Sequence, residues 1–175
     1  MPRKKAKVKI KAVSEEYKPV FAYGESQSNC MDLRAYIKET PGLNSWNGGN
    51  SVNLYPGQVV TIRTGVFLEL PEGYEALVRP RSGLAKEHGI TLVNSPGTID
   101  SGYRGEILVI VSNMRHTMEA WGGYPERNHT PYVISDGDKI AQIAIREVPL
   151  LDVEFVEELE ENTVRGGKGF GSSGK

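Results

Sequence analysis

The feature that most constrains the fold is a series of short runs in which apolar or β-branched residues alternate with polar ones, separated by Gly, Pro and Asn. Among these runs are KVKIKAV, MDLRAYI, SVNLYPGQVVTIRTGVFLEL, EILVIVSN and KIAQIAIREV. Alternation with a period of two places one face of a strand in a core and the other face in solvent. Many such runs in a chain of 175 residues predict a single all-β domain, a sandwich or a barrel.

One segment, SGLAKEHG at residues 82–89, has the pattern of a helix of about two turns. We expect Ser82 to cap its N-terminus and Gly89 to end it. Two other segments, residues 40–50 and 115–130, are polar, contain Gly and show no period. They are expected to leave the sheets as loops.

The charge balance argues against nucleic acid as a direct partner. The formal net charge is −1, whereas nucleic-acid binders usually carry a basic excess or a basic face. Lys residues do crowd the N-terminus, but KVKIK at residues 7–11 alternates Lys with apolar residues. This pattern favours an edge strand with a solvated Lys face over its alternatives, a basic arm or an address signal.

The sequence also bears on the compartment. No apolar run approaches the roughly 20 residues of a membrane span, and no signal-peptide core follows the basic start. Cys30 is the single cysteine, which excludes an internal disulfide and a Cys-based zinc site. We therefore expect a soluble cytoplasmic protein. The acidic run at residues 152–161 is expected to be a solvated face, with a metal cluster as the alternative.

Polar chemistry concentrates in NSPGTIDSGYRGEI, residues 94–107. Asp100 stands there in a Gly-rich turn between two apolar runs, with Tyr103 and Arg104 close behind. As structure alone the segment reads as a β-hairpin whose Asp and Gly supply turn geometry. As chemistry, a carboxylate held beside an aromatic ring can orient a water toward a substrate packed on that ring.

Two further segments suit anions. In RPRSGLA, the Ser82 hydroxyl, the Gly83 N–H and the Arg81 charge would form an anion seat at a helix start, or simply a capped helix. The C-terminal RGGKGFGSSGK fits half of a phosphate-loop pattern, but Lys175 ends the chain and no helix follows. It reads either as a flexible linker or as an arm that wraps a polyphosphate. Together the three segments indicate phosphate chemistry on a nucleotide.

With these residues in place, the chain resembles the trimeric dUTPases, the dUTP diphosphatases, in five motifs that follow one another in order. The motifs are MDLRA around Asp32, RSGLA at residues 81–85, NSPGTIDSGYRGE at residues 94–106, GDKIAQI at residues 137–143, and RGGKGFGSSG at residues 165–174. The resemblance covers nearly the whole chain.

The resemblance implies a homotrimer with a jelly-roll-like β fold and one short helix. It implies hydrolysis of dUTP to dUMP and pyrophosphate with Mg²⁺, which keeps uracil out of DNA and supplies dUMP for dTMP synthesis. Each active site would draw on all three subunits. Asp100 would be catalytic, binding the 3′-hydroxyl and positioning the water that attacks the α-phosphate. Tyr103 would pack under the sugar and exclude a 2′-hydroxyl.

The same resemblance implies roles for further residues. The uracil edge would be read by Asn94, Thr98 and Ile99, and the phosphates would be held by Arg81, Ser82, Gly83 and Gln142. Asp32 would contact waters around a Mg²⁺ held mainly by the triphosphate. The predicted β domain spans residues 1–162, and residues 163–175 would form an arm that closes over a neighbouring subunit's site through Arg165, Phe170, Gly171, Ser172 and Ser173.

Some residues depart from the family pattern. Cys30 and Met31 replace the usual Gly-Tyr before Asp32, which questions the local backbone geometry. Residues 115–130 form a longer segment than a compact member needs, either a surface loop or a docking site for another protein. The rival functions are a dCTP deaminase, which uses a Glu for base chemistry, and a non-enzymatic binding module. The residues TIDSGYRG around Asp100 speak against the deaminase.

Overall fold

The computed structural model describes residues 6–19, 29–38, 50–115, 130–160 and 163. Within these residues the chain is mainly β-strand, with one α-helix and one short 3-10 helix, Glu15–Tyr17. The strands are β1 Lys9–Ala12, β2 Met31–Arg34, β3 Ser51–Leu54, β4 Val59–Glu69, β5 Tyr74–Arg79, β6 Ile90–Leu92, β7 Gly97–Ile99, β8 Glu106–Asn113, β9 Tyr132–Ser135 and β10 Lys139–Glu147, and the helix is α1 Ser82–His88. The predicted all-β class is confirmed.

The strands form two four-stranded sheets and a two-stranded ribbon. The first sheet has the order β1-β4-β8-β6, the second has the order β2-β10-β5-β7, and β3 pairs with β9 in the ribbon. All pairs are antiparallel. A single cluster of buried side chains draws on both sheets and the ribbon, so the sheets enclose one core.

Alternation along the strands explains this layering. In β8 the side chains of Ile107, Val109 and Val111 are buried, while that of Leu108 between them is exposed. Among the described strands, β1 is an edge strand whose one partner is β4, and its Lys9 and Lys11 side chains are exposed. The edge strand with a solvated Lys face is therefore confirmed.

The helix begins one residue earlier than a Ser82 cap requires. Arg81, with extended backbone angles of φ −86° and ψ 128°, occupies the N-cap position, and no side chain caps the helix. Ser82 is already the first helical residue because the extended backbone that leaves β5 ends at Arg81. The predicted Ser82 cap is wrong. Gly89 ends the helix as predicted, with a left-handed φ of 66° that favours glycine.

Residues 94–107 do not form the expected hairpin. β7 pairs with β5 in the second sheet, whereas β8 pairs with β4 and β6 in the first. The intervening turn therefore carries the chain from one sheet to the other. The hairpin interpretation was wrong because two apolar runs separated by a Gly-rich turn look the same whether they pair with each other or with distant strands.

Several predicted features lie outside the described residues. They include most of the expected loops at residues 40–50 and 115–130, and nearly all of the C-terminal arm, so the boundary at residue 162 stays a prediction. The described part of the acidic run, residues 152–160, has exposed side chains, as predicted. Among the residues that the structure covers, no helix is long and apolar enough to cross a membrane.

Candidate active site

Asp32 and Gln142 lie next to each other on the outer face of the second sheet. They are direct partners in the β2–β10 pairing, and Gln142 is in turn the partner of Arg79 on β5. Asp32 stands between the buried Met31 and Leu33, so strand alternation turns its carboxylate away from the core. The substitution of Met31 for the family's usual residue leaves the strand intact, because the Met31 side chain is buried and pairs with Ile143.

Two cations converge on the carboxylate of Asp32. Arg81 Nε donates to Oδ1 at 3.2 Å, and Lys139 Nζ lies 2.8 Å from Oδ2. Burial alone would raise the pKa of Asp32, but the hydrogen bond from Lys139 and the charges of Arg81 and Lys139 outweigh it and hold that pKa below its usual value. The carboxylate is therefore charged at neutral pH. We call Asp32, Arg81, Lys139 and Gln142 the β2–β10 cluster.

Lys139 is a member of this cluster that the sequence did not predict. Under strict alternation, Lys139 and Gln142 are an odd number of residues apart and would face opposite sides of the sheet. The register between β2 and β10 shifts between Lys139 and Ala141, and this β-bulge brings both polar side chains to the outer face. The signal in the sequence was the pair of adjacent apolar residues, Ile140 and Ala141, both of which are buried.

Ser82 and Gly83 follow Arg81 directly and form the exposed first turn of α1. A Cβ at Gly83 would meet nothing within 4 Å, so the described chain leaves space at this point. The structure thus brings the predicted phosphate-binding residues Arg81, Ser82 and Gly83 to the same end of the second sheet as Asp32.

A buried tyrosine supports the turn that precedes Lys139. The Tyr17 hydroxyl donates to Asp136 Oδ2 at 2.5 Å, and the Ile37 and Lys38 N–H groups donate to Oδ1 at 2.7 and 3.2 Å. Burial would raise the pKa of Asp136, but these three donors stabilise the charged form and lower that pKa overall. Burial, and then the hydrogen bond to Asp136, raise the pKa of Tyr17 far above its ordinary value. The turn before Lys139 is thus stabilised by Tyr17, Ile37 and Lys38, which are distant from it in the sequence.

The other predicted residues lie along residues 94–105, which we call the β7 segment. The Asn94 side chain lies over the backbone of Gly97, where an added Cβ would be 3.1 Å from Asn94 Nδ2. Gly97, Thr98 and Ile99 pair with Val78, Leu77 and Ala76 on β5. Thr98 is exposed and Ile99 is half-buried, so the segment presents polar atoms at a sheet edge.

Asp100 and Tyr103 are joined by a tight turn. The Tyr103 N–H donates to the Asp100 carbonyl at 3.1 Å, and the Asp100 side chain is exposed. The Tyr103 ring folds back over Gly105, where an added Cβ would overlap the hydroxyl oxygen and lie 2.5 Å from Cζ. The hydroxyl donates to the Glu106 carbonyl at 2.9 Å, and the residue is 43% exposed. A glycine at position 105 is thus required for this ring position.

One chain does not bring Asp100 and the β2–β10 cluster together. Ile99 pairs with Ala76, so Asp100 lies beside Glu75 near the start of β5. Arg79 at the other end of β5 is four residues away, about 14 Å at about 3.4 Å per residue, and Arg81 lies beyond it. Asp100 and the β2–β10 cluster are therefore at opposite ends of β5.

Comparison with known proteins places the chain among nucleotide hydrolases. The family model described as dUTPase matches residues 49–120. The deoxyuridine 5′-triphosphate nucleotidohydrolase of Wolbachia pipientis subsp. Culex pipiens is 42% identical over 177 residues, covering 100% of both chains. The chain belongs to the dUTPase family. The predicted family and enzyme class are confirmed.

Solved dUTPases share the fold. The dUTPase of Staphylococcus bacteriophage 80alpha, solved with dUPNHPP, is 25% identical with a TM-score of 0.73, and the match covers 97% of this chain and 99% of that one. A mutant dUTPase of phage phi11 of S. aureus, whose structure reveals the coordination of a structural Mg(II) ion, is 24% identical with a TM-score of 0.65, covering 87% and 97%. The dUTPase-like β fold predicted for this chain is confirmed.

The predicted arm residues fall outside the described part of the chain. They are Arg165, Phe170, Gly171, Ser172 and Ser173. Their contacts with the base and the phosphates stay predictions.

Proposed function

We propose that the chain hydrolyses dUTP to dUMP and pyrophosphate. The observation that carries this proposal is the presence, in a member of the dUTPase family, of both the β2–β10 cluster and the Asp100–Tyr103 turn. The first group suits a triphosphate, and the second suits a nucleoside and a water.

The β2–β10 cluster has the charge needed for phosphates. Arg81 and Lys139 each carry one positive charge, and Asp32 carries the one negative charge of the cluster. Charge-assisted hydrogen bonds from such donors to phosphate oxygens are stronger than neutral ones. Ser82, Gly83 and Gln142 would add uncharged donors at the same end of the sheet, and together with Arg81 they would hold the triphosphate chain.

The donor set fits a Mg²⁺ that is held mainly by the nucleotide. Both oxygens of Asp32 already contact cationic side chains, and the described residues contain no group of three His, Cys, Asp or Glu placed to hold a metal. Mg²⁺ usually keeps several waters and binds substrate phosphates with one or two carboxylates. Asp32 would contact those waters, and the bound ion would supply charge neutralisation along the triphosphate.

Asp100 would work chiefly by orientation. Its exposed carboxylate, fixed at a tight turn, would accept a hydrogen bond from the 3′-hydroxyl and align a water with the α-phosphate. The Tyr103 ring, held over Gly105, would pack under the deoxyribose and leave no space for a 2′-hydroxyl. Asn94, Thr98 and Ile99 would read the uracil edge from the backbone of the β7 segment.

The active site would be shared within a homotrimer. Asp100 and the β2–β10 cluster lie at opposite ends of β5 in one chain, and a second copy would supply one of them. The outer face of the first sheet also exposes Val59, Val93 and Leu108, although antiparallel sheets usually present polar residues to water. Beyond β10, the Phe155 side chain is 96% exposed. Apolar surface of this kind is typically buried between subunits.

The arm at residues 163–175 would close the shared site. Arg165, Ser172 and Ser173 would contact phosphates and Phe170 would cover the base, while Gly171 would allow close approach of the backbone. A protein partner at residues 115–130 and a cytoplasmic location remain predictions from the sequence.

A nucleotide assay tests the function. We expect pyrophosphate release from dUTP with Mg²⁺, and little release from dTTP, dCTP or UTP, because misplaced polar groups in a reading site discriminate strongly. Ammonia release from dCTP, or equal turnover of all four nucleotides, would refute the proposal. Sedimentation of the same sample tests the trimer, and an active monomer would refute the shared site.

A further inference from the structure

The guanidinium of Arg81 makes two hydrogen bonds. One is to Asp32, the ion-pair partner of Lys139, and the other is to the Lys139 carbonyl. Arg81 Nε donates to Asp32 Oδ1 at 3.2 Å, and Arg81 Nη1 donates to the Lys139 carbonyl at 3.1 Å. Of the guanidinium nitrogens, Nη2 is the one without a hydrogen bond to the described residues. The two contacts thus hold the guanidinium through Nε and Nη1 and leave Nη2 as a donor.

Lys139 contributes to this arrangement twice. Its ammonium lies 2.8 Å from Asp32 Oδ2, so that each Asp32 oxygen contacts a different cation. Its carbonyl accepts from Arg81 at the β-bulge, where the ladder between β2 and β10 shifts register. The carbonyl contact belongs to the backbone and is kept whatever side chain stands at position 139, so the Lys139 side chain acts on the guanidinium through Asp32.

Arg81 needs such support because its backbone lies outside the sheet. β5 ends at Arg79, and Arg81 occupies the N-cap of a helix that no side chain caps. A free Arg side chain loses much rotamer freedom when it is immobilised. If the side chain is already ordered in the folded protein, its conformational entropy is lost during folding, and this loss does not weaken substrate binding.

We propose that Lys139 is a positioning residue that, together with Asp32, orders the guanidinium of Arg81 before the triphosphate binds. This inference rests on the proposed function, because it assigns Arg81 to the phosphates. Lys139 acts through Arg81 and Asp32, and its ammonium stays on the carboxylate when the nucleotide is bound.

A double-mutant cycle separates this role from direct phosphate binding. We expect Lys139→Met to lower kcat/KM for dUTP by about tenfold or more, and to have an effect within about twofold when Arg81→Met is already present, because residues that act as a unit are not additive. Lys139→Arg should restore most of the loss. Multiplicative losses in the double variant would overturn the proposal, since they would indicate an independent phosphate contact.

The matched control is Lys9→Met. Lys9 forms an ion pair of similar length, 2.7 Å to Glu69, on the other sheet. We expect this variant to keep the wild-type kcat/KM. An equal loss in the Lys9 and Lys139 variants would overturn a specific role for Lys139. If Lys139→Met does not fold, Lys139→Gln, which keeps one donor for Asp32, takes its place in the cycle.

A second readout does not depend on turnover. The side-chain Nε–H signal of Arg81 in the nucleotide-free protein should indicate an ordered group in the wild type and a mobile one in Lys139→Met. Equal order in both would overturn the proposal, even if activity had fallen. A wild-type protein that shows the ordered signal but does not hydrolyse dUTP would refute the proposed function and leave the positioning role standing.

Discussion

The β2–β10 cluster and the β7 segment are built in different ways. In the cluster, hydrogen bonds and ion pairs among Arg81, Asp32 and Lys139 fix the positions of these residues. In the β7 segment, glycines shape the surface, and the Asp100 and Thr98 side chains are exposed. The side chains of the cluster are thus ordered by contacts within the chain, whereas the β7 segment presents exposed groups that, under the proposed function, would work against another copy.

Strand length accounts for much of this difference. β10 has nine residues and pairs on both sides, with β2 and with β5, so it fixes the side chains of the cluster from two directions. β7 has three residues and, within the part of the chain that the structure describes, pairs with β5 alone at the edge of its sheet. An edge position leaves space for an approaching nucleotide and for a neighbouring subunit.

The largest expected effect comes from inactivating each region in a different chain, which tests whether one site uses both regions. Asp100→Asn and Arg81→Met should each lower kcat by about 100-fold to 10,000-fold, the range expected for a positioned catalytic group. If each site combines the two regions from different subunits, random mixing of both variants in a trimer should restore about one quarter of the sites. Activity of co-refolded mixtures measures this, and no recovery would mean that both regions serve one site within one chain.

The support beneath the β2–β10 cluster should be costly to remove. Tyr17→Phe deletes the hydroxyl that donates to Asp136, and hydrogen bonds to charged groups contribute about 1.5–3 kcal/mol. We expect the free energy of unfolding in urea to fall by this amount. Tyr55→Phe, at an exposed tyrosine, is the matched control and should change little. Equal effects of the two substitutions would show that the turn before Lys139 does not depend on Tyr17.

In the β7 segment, the effect of replacing a glycine on substrate preference should depend on which glycine is replaced. A Cβ at Gly105 would overlap the Tyr103 ring, whereas a Cβ at Gly102 would meet nothing within 4 Å. Gly105→Ala should therefore displace the ring and reduce the preference for dUTP over UTP by about tenfold, a loss typical of altered pocket contacts. Gly102→Ala should keep it. Competition assays with both nucleotides measure the ratio, and an unchanged ratio in Gly105→Ala would separate Tyr103 from sugar discrimination.

The smallest expected effect concerns the pH dependence of stability. Because the folded protein lowers the pKa of Asp32, the charged carboxylate stabilises the fold above the unfolded pKa of about 3.9. This contribution is lost as pH falls through the lower, folded value. Asp32→Asn should remove less than about 1 kcal/mol at neutral pH and should flatten the loss of stability in acid. Asp152→Asn, at an exposed acid, should leave the profile unchanged, and the same profile for both variants would contradict the ion pairs around Asp32.

The sequence predicted what depends on local pattern. Alternation in β8 and the Lys face of β1 were confirmed, because neighbouring residues alone decide which face of a strand is apolar. The five motifs identified the family and most of the candidate site. The β7–β8 hairpin was wrong, because pairing with β5 involves residues about twenty positions away in the chain. Lys139 was missed since a bulge, which depends on the partner strand, changed the face that it occupies.

The β-bulge in β10 affects how insertions and deletions can change the outer face of the second sheet during evolution. The extra residue shifts the alternation of side chains by one position. Before the bulge the odd-numbered Lys139 faces outward, and after it the even-numbered Gln142 does. Deleting Ile140 would remove the bulge and keep Lys139 and Gln142 together on the outer face, whereas a bulge on the other side of Lys139 would turn Lys139 toward the core while Gln142 stayed outside. The set of side chains on the outer face of the second sheet can therefore be altered by moving the bulge along β10, without changing the type of any residue involved.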